Sequence, residues 1–250
     1  MLLIIPVIEI KNGKSVHRVH GKDGSVLTDD PIELAKLWRQ ENAKSLHVTD
    51  VDGALQGRIV NFDVIREMVS RVDIPIELGG GFRTVDEVKK AFDAGIYRVV
   101  VGTMLIEHPE YAQQILETFG GSKLVLGIDI QNNIVMTKGM TKNSGLTPLS
   151  VALNAKEMGF RRIIYRDVLE KGLQKGPNFA AIKMMAEKTG LHVTVSGGIA
   201  GLEDLLKLQE IESSGVDSVI IGRAFYENKF SCQHLWRLCE AGQYPYTAKV

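Results

Sequence analysis

The chain has 250 residues, 44% hydrophobic and 24% charged, enough apolar material for one large core or two small domains. Thirty basic residues balance thirty acidic ones, which excludes a broad electrostatic footprint for nucleic acid or an anionic membrane, so any bound anion must be held locally. Two cysteines, Cys232 and Cys239, are too few for a disulfide framework and point to a reducing compartment.

The first predicted element is LLIIPVIEI at 2–10. It is short, with neither a basic leader nor a small-residue cleavage site, which predicts a strand in a cytoplasmic protein rather than a signal peptide or membrane span. The helical pattern DPIELAKLWRQENA follows, then the strand SLHVTDVD and the helix NFDVIREMVSRV. The same alternation continues through IPIELGG, TVDEVKKAFDAG, RVVVGT, PEYAQQILETFG, LVLGIDI and TPLSVALNAKEMGF. It ends with RIIYRD, NFAAIKMMAEKTG, HVTVSGG, LEDLLKLQEIESSG, SVIIGRA and a last helix within FYENKFSCQHLWRLCEAG. Most helices open on Asp, Asn, Thr or Pro and many close on Gly, the usual start and stop chemistry. Eight doubly apolar strands, each followed by a helix, predict an α/β fold of the (β/α)8 barrel type in one domain spanning 1–250. An open doubly wound sheet is the competing architecture, but it usually has fewer strands and a single glycine-rich turn.

An internal repeat sharpens this expectation. VIEI at 7–10 matches GIDI at 127–130, LGGGF at 78–82 matches VSGGI at 195–199, and VVVGT at 99–103 matches VIIGR at 219–223. Two half-barrels, about 1–122 and 123–250, are therefore expected, with Glu9 and Asp129 facing each other across the mouth. Active sites of such barrels lie at the C-terminal strand ends, where Glu9, Asp50, Gly80, Gly102, Asp129, Asp167, Gly197 and Gly222 all fall. Glycine turns there leave backbone amides open to an oxyanion, and each half has its own set, so two phosphate sites are expected. The plainer alternative is that these glycines only permit tight turns. Glu9 and Asp129 suit proton transfer on two faces of one ligand, whereas lone acids would cap a loop or pair with cations such as Lys11 or Lys138. His47 could be a ligand contact or a satisfied rim histidine. The other histidines, His17, His20, His108, His192 and His234, have no metal-ligand spacing, so no metal is expected. Lys89 and Lys90 read as a solvated helix face.

Taken together, IIPVIEIKNGK, LHVTDVDGA, ELGGGFRT, VVVGT, GIDI, KGPN, VSGGI and IGRAFYE resemble the isomerase family of histidine biosynthesis that converts the aminoaldose ProFAR into the aminoketose PRFAR. They resemble the cyclase subunit of imidazole glycerol phosphate synthase less closely. The resemblance runs from residue 2 to about 240. It implies an Amadori rearrangement without a cofactor, in which an acid opens the ribose and a base removes the C2 proton from a substrate phosphorylated at both ends. It also implies catalytic roles for Glu9, Asp129 and Lys171, and substrate contacts from His17, Arg18, His47, Asp50, Met140, Arg166 and Asp167. Phosphate contacts fall to Gly80, Gly81, Arg83, Gly102, Thr103, Gly176, Gly197, Gly198, Gly222 and Arg223.

Five positions depart from the family pattern. Glu9 replaces an aspartate, His17 an arginine, Met140 a stacking tryptophan, Arg166 a threonine and Lys171 a second aspartate. Arg166 or Lys171 is expected to pair with Glu9 or Asp129, lowering that acid's pKa. The expected partner is a small bisphosphorylated ligand, with no nucleic acid or membrane and the chain acting as a monomer. The alternative function is a paralogue that lost isomerase activity and binds or transforms another phosphorylated ligand. Polar loops at 21–29 and 132–144 are long enough to be lids.

Overall fold

The computed structural model describes residues 2–16, 28–167, 176–227 and 229. Among them, eight parallel strands form the barrel: β1 Leu3–Lys11, β2 Leu46–Asp50, β3 Ile76–Gly79, β4 Arg98–Val101, β5 Leu124–Gln131, β6 Arg162–Asp167, β7 His192–Ser196 and β8 Val216–Ile221. Each pairs with the next, Val99 opposite Leu124 joins the halves, and Leu3 opposite Ser218 closes the ring. Closure removes both sheet edges and rules out the open doubly wound alternative.

Helices follow the strands where side-chain caps can begin them. Asp30 caps α1 (Pro31–Gln40), and α2 (Val51–Gln56) starts on Asp50. After α3 (Phe62–Arg71), Thr84 and Glu87 form a reciprocal capping box on α4 (Val85–Asp93). The first half ends with α5 (Thr103–Glu107) and α6 (Pro109–Phe119), and the second opens with α7 (Pro148–Met158), begun by Thr147 and stopped by the left-handed Gly159. Then come α8 (Phe179–Thr189), α9 (Leu202–Glu210) and the short α10 (Arg223–Tyr226). The rest of the expected C-terminal helix lies outside the described residues. No helix among the described residues is long and apolar enough to cross a membrane.

Two separate cores result from the alternation of side chains along the strands. Residues such as Ile4, Ile8, Leu46, Val48, Leu126 and Ile128 point outward against the helices. Ile5, Val7, Val125, Ile164 and Ile220 fill the barrel interior, with Leu3 and Val100 packed beside them. Each such fully buried aliphatic side chain contributes about 1.5–3 kcal/mol. The interior plug stops one turn of pleat below Glu9 and Asp129, so those acids stand on an apolar floor.

The segment expected as a lid at 132–144 is instead a β-hairpin. Asn132 and Asn133 take left-handed conformations, φ 52° and 60°, and return the chain so that Ile134–Thr137 runs antiparallel to β5, before Thr137 pairs with Lys142 in Lys142–Asn143. Asn12 and Gly13 make the same turn after β1, pairing Lys11 with Lys14. Residues 21–27 of the other expected lid lie outside the described residues.

Candidate active site

The C-terminal ends of the strands surround one cavity of about 690 Å³. Alternate inward positions supply its polar lining above the apolar floor: Glu9 from β1, His47 and Thr49 from β2, Asp129 from β5 and Arg166 from β6. β1 and β5 are four strands apart in a ring of eight, so the two acids come from opposite walls. The register places Asp129 directly beside Arg166, and Arg166 Nε donates to Asp129 Oδ1 at 2.6 Å. Of the two acids, it is thus Asp129 that pairs with Arg166.

Glu9 has a different environment. Burial pushes its carboxyl above the ordinary range, and the nearby charges of Arg166 and His47 only partly oppose this. Of the expected pairings, Arg166 takes Asp129, and any pairing through Lys171 lies outside the described residues. Burial works against the charge on Arg166, but Asp129 and Glu9 together raise its pKa, so the guanidinium stays charged. His47 is buried, and its Nδ1 lies 2.9 Å from Glu77 Oε1 on β3. That contact orients the ring and leaves Nε2 for the cavity. Glu77 escaped the sequence reading. The signal for it was an acid in the apolar run IPIELGG, at an inward position.

Glycine turns line two sides of the cavity: Gly80, Gly81, Gly102 and Thr103 on one, Gly197, Gly198, Gly222 and Arg223 on the other. They are not equivalent. A Cβ at Gly80 would meet Asp50 O at 2.3 Å, and one at Gly81 would meet Arg58 O at 2.4 Å, so these glycines are required by the neighbouring chain. At Gly197 the nearest atom is Arg166 Cγ at 3.7 Å, and both Gly197 and Gly198 are exposed. Arg83 also borders the cavity, with its charge disfavoured by burial and supported by Glu107 and Glu87.

The hairpin beyond β5 closes part of the rim. Lys138 N donates to Thr103 Oγ1 at 2.9 Å, and Glu107 holds Lys138 at 3.2 Å and Lys142 at 2.8 Å. Lys138 is therefore not the partner of Asp129. Met136, opposite Asp129 in the register, lines the cavity, whereas the expected contact Met140 sits at the hairpin tip and does not.

Three further expected contacts lie off the cavity. Asp50 is fully buried and points outward from β2, where its oxygens accept from Gly53 N at 2.8 Å, Val60 N at 2.7 Å, Asn61 N at 2.9 Å and Asn61 Nδ2 at 2.7 Å. It organises the loop into α3 instead of touching a ligand. Asn61 also bonds Asp52 and accepts from Gly13 N, tying the first hairpin to the same knot. Asp167, adjacent to the inward Arg166, faces a small recess with Tyr165 and Gly176 that shares Ser196, Gly197 and Gly198 with the cavity. Burial raises the pKa of Asp167, and burial together with Asp167 pushes Tyr165 up to about 12. Gly176 is needed there because a Cβ would lie 2.6 Å from Asp204 Oδ1. Lys171, His17 and Arg18 lie outside the described residues. Among the described residues, no group of three His, Cys, Asp or Glu side chains could hold a metal ion.

The sequence matches the model of a family described as "Histidine biosynthesis protein" over residues 3–231. It is 46% identical over 237 residues to a protein of Chlorobium phaeobacteroides strain BS1 named 1-(5-phosphoribosyl)-5-((5-phosphoribosylamino)methylideneamino)imidazole-4-carboxamide isomerase, covering 94% of this chain and 91% of that one. Proteins of the same name from Chlorobium phaeovibrioides and Pelodictyon phaeoclathratiforme are each 44% identical, covering 96% and 94% of this chain and 95% and 93% of theirs. With a barrel mouth holding opposed acids between two glycine-lined walls and a family match across nearly the whole chain, this protein belongs to the histidine biosynthesis protein family.

Proposed function

We propose that the cavity is the active site of the cofactor-independent aldose–ketose isomerase named in the relatives, acting on a ribosyl-aminoimidazole carboxamide phosphorylated at both ends. The observation that carries this reading is the placement of Glu9 and Asp129 on opposite inner walls of one cavity, between two sets of glycine turns. An Amadori rearrangement needs a proton delivered to the ribose ring oxygen and another taken from C2, on different parts of one substrate. A pair of acids in unlike environments, one desolvated and one ion-paired, supplies both roles. Gly80, Gly81, Arg83, Gly102 and Thr103 grip one phosphate in this reading, and Gly197, Gly198, Gly222 and Arg223 the other. His47, fixed by Glu77, contacts the sugar between them. The same proposal has the chain working as one domain of two half-barrels, as a monomer in the cytoplasm. No observation favours the alternative of a paralogue that lost this activity and binds or transforms another phosphorylated ligand.

The test is turnover of ProFAR by purified protein, followed by ultraviolet absorbance, beside a thermal-shift titration with PRFAR. Turnover with stabilisation by the product is the expected result. Stabilisation without turnover would sink the isomerase assignment and leave a phosphate-binding barrel.

A further inference from the structure

The internal repeat aligns VVVGTMLIE at 99–107 with VIIGRAFYE at 219–227, so Ile106 and Tyr226 hold the same place, one helical turn after the glycine that follows β4 or β8. The next strand round the barrel then offers Gly127 in one half and Val7 in the other. The two seams are closed differently. A Cβ on Gly102 would meet Gly127 O at 2.8 Å, so the glycine turn there packs backbone to backbone against the next strand. At the other seam, the Tyr226 hydroxyl donates to Val7 O at 2.8 Å.

That bond lies where the sheet parts. The register of β1 with β8 ends at Pro6 opposite Ile221, while β1 runs on to Lys11. Carbonyls two residues apart share one edge of a strand, so Val7 O and Glu9 O lie on the same edge. Glu9 O accepts from Val16 N at 2.9 Å, and Val7 O accepts from Tyr226. The backbone of Tyr226 is held to the glycine turn, because its N–H and that of Phe225 donate to Gly222 O at 3.3 and 2.9 Å. Trp38 of α1 is buried, stands edge-on to the Tyr226 ring with 5.6 Å between centroids, and donates from Nε1 to the same hydroxyl at 3.3 Å.

We propose that Tyr226 is a positioning residue that fixes the distance between the Gly222–Arg223 turn, which grips one phosphate, and Glu9, one of the two opposed acids. The inference rests on the isomerase reading. The connection is short. Gly222 to Tyr226 is one helical turn, Tyr226 to Val7 is one hydrogen bond, and Val7 and Glu9 are successive cavity-lining residues of one strand. A ligand anchored by its phosphate therefore meets Glu9 at a distance set by a bond between residues 219 positions apart in the chain. Such spacing matters because a reacting group displaced by about 1 Å can lose about 100-fold in rate.

The experiment compares the wild type with Tyr226→Phe, which keeps the ring and its packing, and with Ile106→Val, a truncation at the equivalent place in the other half. With ProFAR, Tyr226→Phe is expected to lower kcat about 10-fold or more while KM changes about 2-fold at most. Ile106→Val should lower the melting temperature comparably and leave both constants unchanged. Melting temperatures that fall in both variants with kcat unchanged in both would overturn the proposal, since a bond that only adds stability does not move kcat. Amide hydrogen exchange of the free protein, which needs no substrate, tests the link itself. Tyr226→Phe should lose protection at 8–11 and 223–227 together, and Ile106→Val at neither. Loss confined to 223–227, or an unchanged pattern, would overturn the link whatever the fall in kcat. A wild type that fails to turn over ProFAR, with protection still lost from both segments in Tyr226→Phe, would overturn the isomerase reading and uphold the tie between turn and strand.

Discussion

Glu9 carries opposed demands, since the burial that lets it hold a proton also makes its ionised form costly. Because its folded pKa is raised, the native state binds more protons than the unfolded chain between the ordinary glutamate value and the raised one. Stability therefore falls as pH rises through that window. Glu9→Gln is expected to lose about 10²–10⁴-fold in kcat. It should also be more stable than the wild type at pH 7, a gain that disappears near pH 4. Denaturant unfolding at the two pH values measures this, and equal stability differences at both would contradict the assigned burial. Asp50 behaves oppositely, being all structure. Asp50→Ala strands the backbone N–H groups of Gly53, Val60 and Asn61 and the Asn61 amide, and should cost about 3 kcal/mol. At a temperature where the variant stays folded, kcat should be nearly unchanged. Motif resemblance alone groups Asp50 with His47, and Asp167 with Arg166. Side-chain alternation forbids it, because residues one or three apart on a strand point to opposite faces. That rule, applied to LHVTD and RIIYRD, was available in the sequence. The ion pair of Asp129 with Arg166 was legible only as one of several pairings, since the choice depends on strand register.

At the scale of elements, strands and helices were readable because period two and period 3.6 alternate cleanly and the caps are conventional. The hairpin after β5 was not. Its Asn132 and Asn133 have the chemistry of a tight turn, but the return strand Ile134–Thr137 is only four residues long, and what holds the hairpin in place, Thr103 and Glu107, comes from another unit of the barrel. The glycine turns show the same limit, since sequence marks where glycine stands and not why. Gly81 has φ +96° with Arg58 O 2.4 Å from an added Cβ, so Gly81→Ala should lose about 3 kcal/mol or more and express poorly. Gly197 has φ +80° but only ordinary contacts for an added Cβ, the nearest Arg166 Cγ at 3.7 Å, so Gly197→Ala should cost only about 1 kcal/mol. Its effect should appear instead as a raised KM, because the methyl occupies the approach to the exposed amides. Thermal melts and steady-state kinetics on the pair distinguish a chain-packing glycine from a ligand-facing one, and a reversed pattern would reassign the two walls.

The whole barrel separates chemistry from cohesion along its axis. At the mouth, polar groups face a cavity. At the opposite end, β6, β7 and β8 are laced by Arg162, which donates to Asp217 through both terminal nitrogens at 2.5 and 2.6 Å, and to Thr194 and Ser218 at 3.0 and 2.9 Å. His192 approaches Asp217 at 3.0 Å. Barrels of this kind can lose bottom-face groups without losing catalysis, since the reacting atoms lie at the other end of the strands. Burial disfavours the Asp217 carboxylate, but its hydrogen bonds from Arg162 and Ser218 and the charges of Arg162 and His192 prevail and hold its pKa below the usual aspartate value. A depressed folded pKa contributes stability that is present above the unfolded value and is lost as pH falls through the folded one. Asp217→Asn should therefore cost about 1–3 kcal/mol at pH 7, less than a fully buried pair because the side chain is about a third exposed. The difference from wild type should shrink below about pH 4, where the unfolded chain's carboxylate begins to take up a proton, and vanish once the pH falls through the lower folded value. Activity at 25 °C should be unaffected. A variant that kept its stability but lost kcat would mean that the two ends of the barrel are coupled through β6, which carries both Arg162 and Arg166.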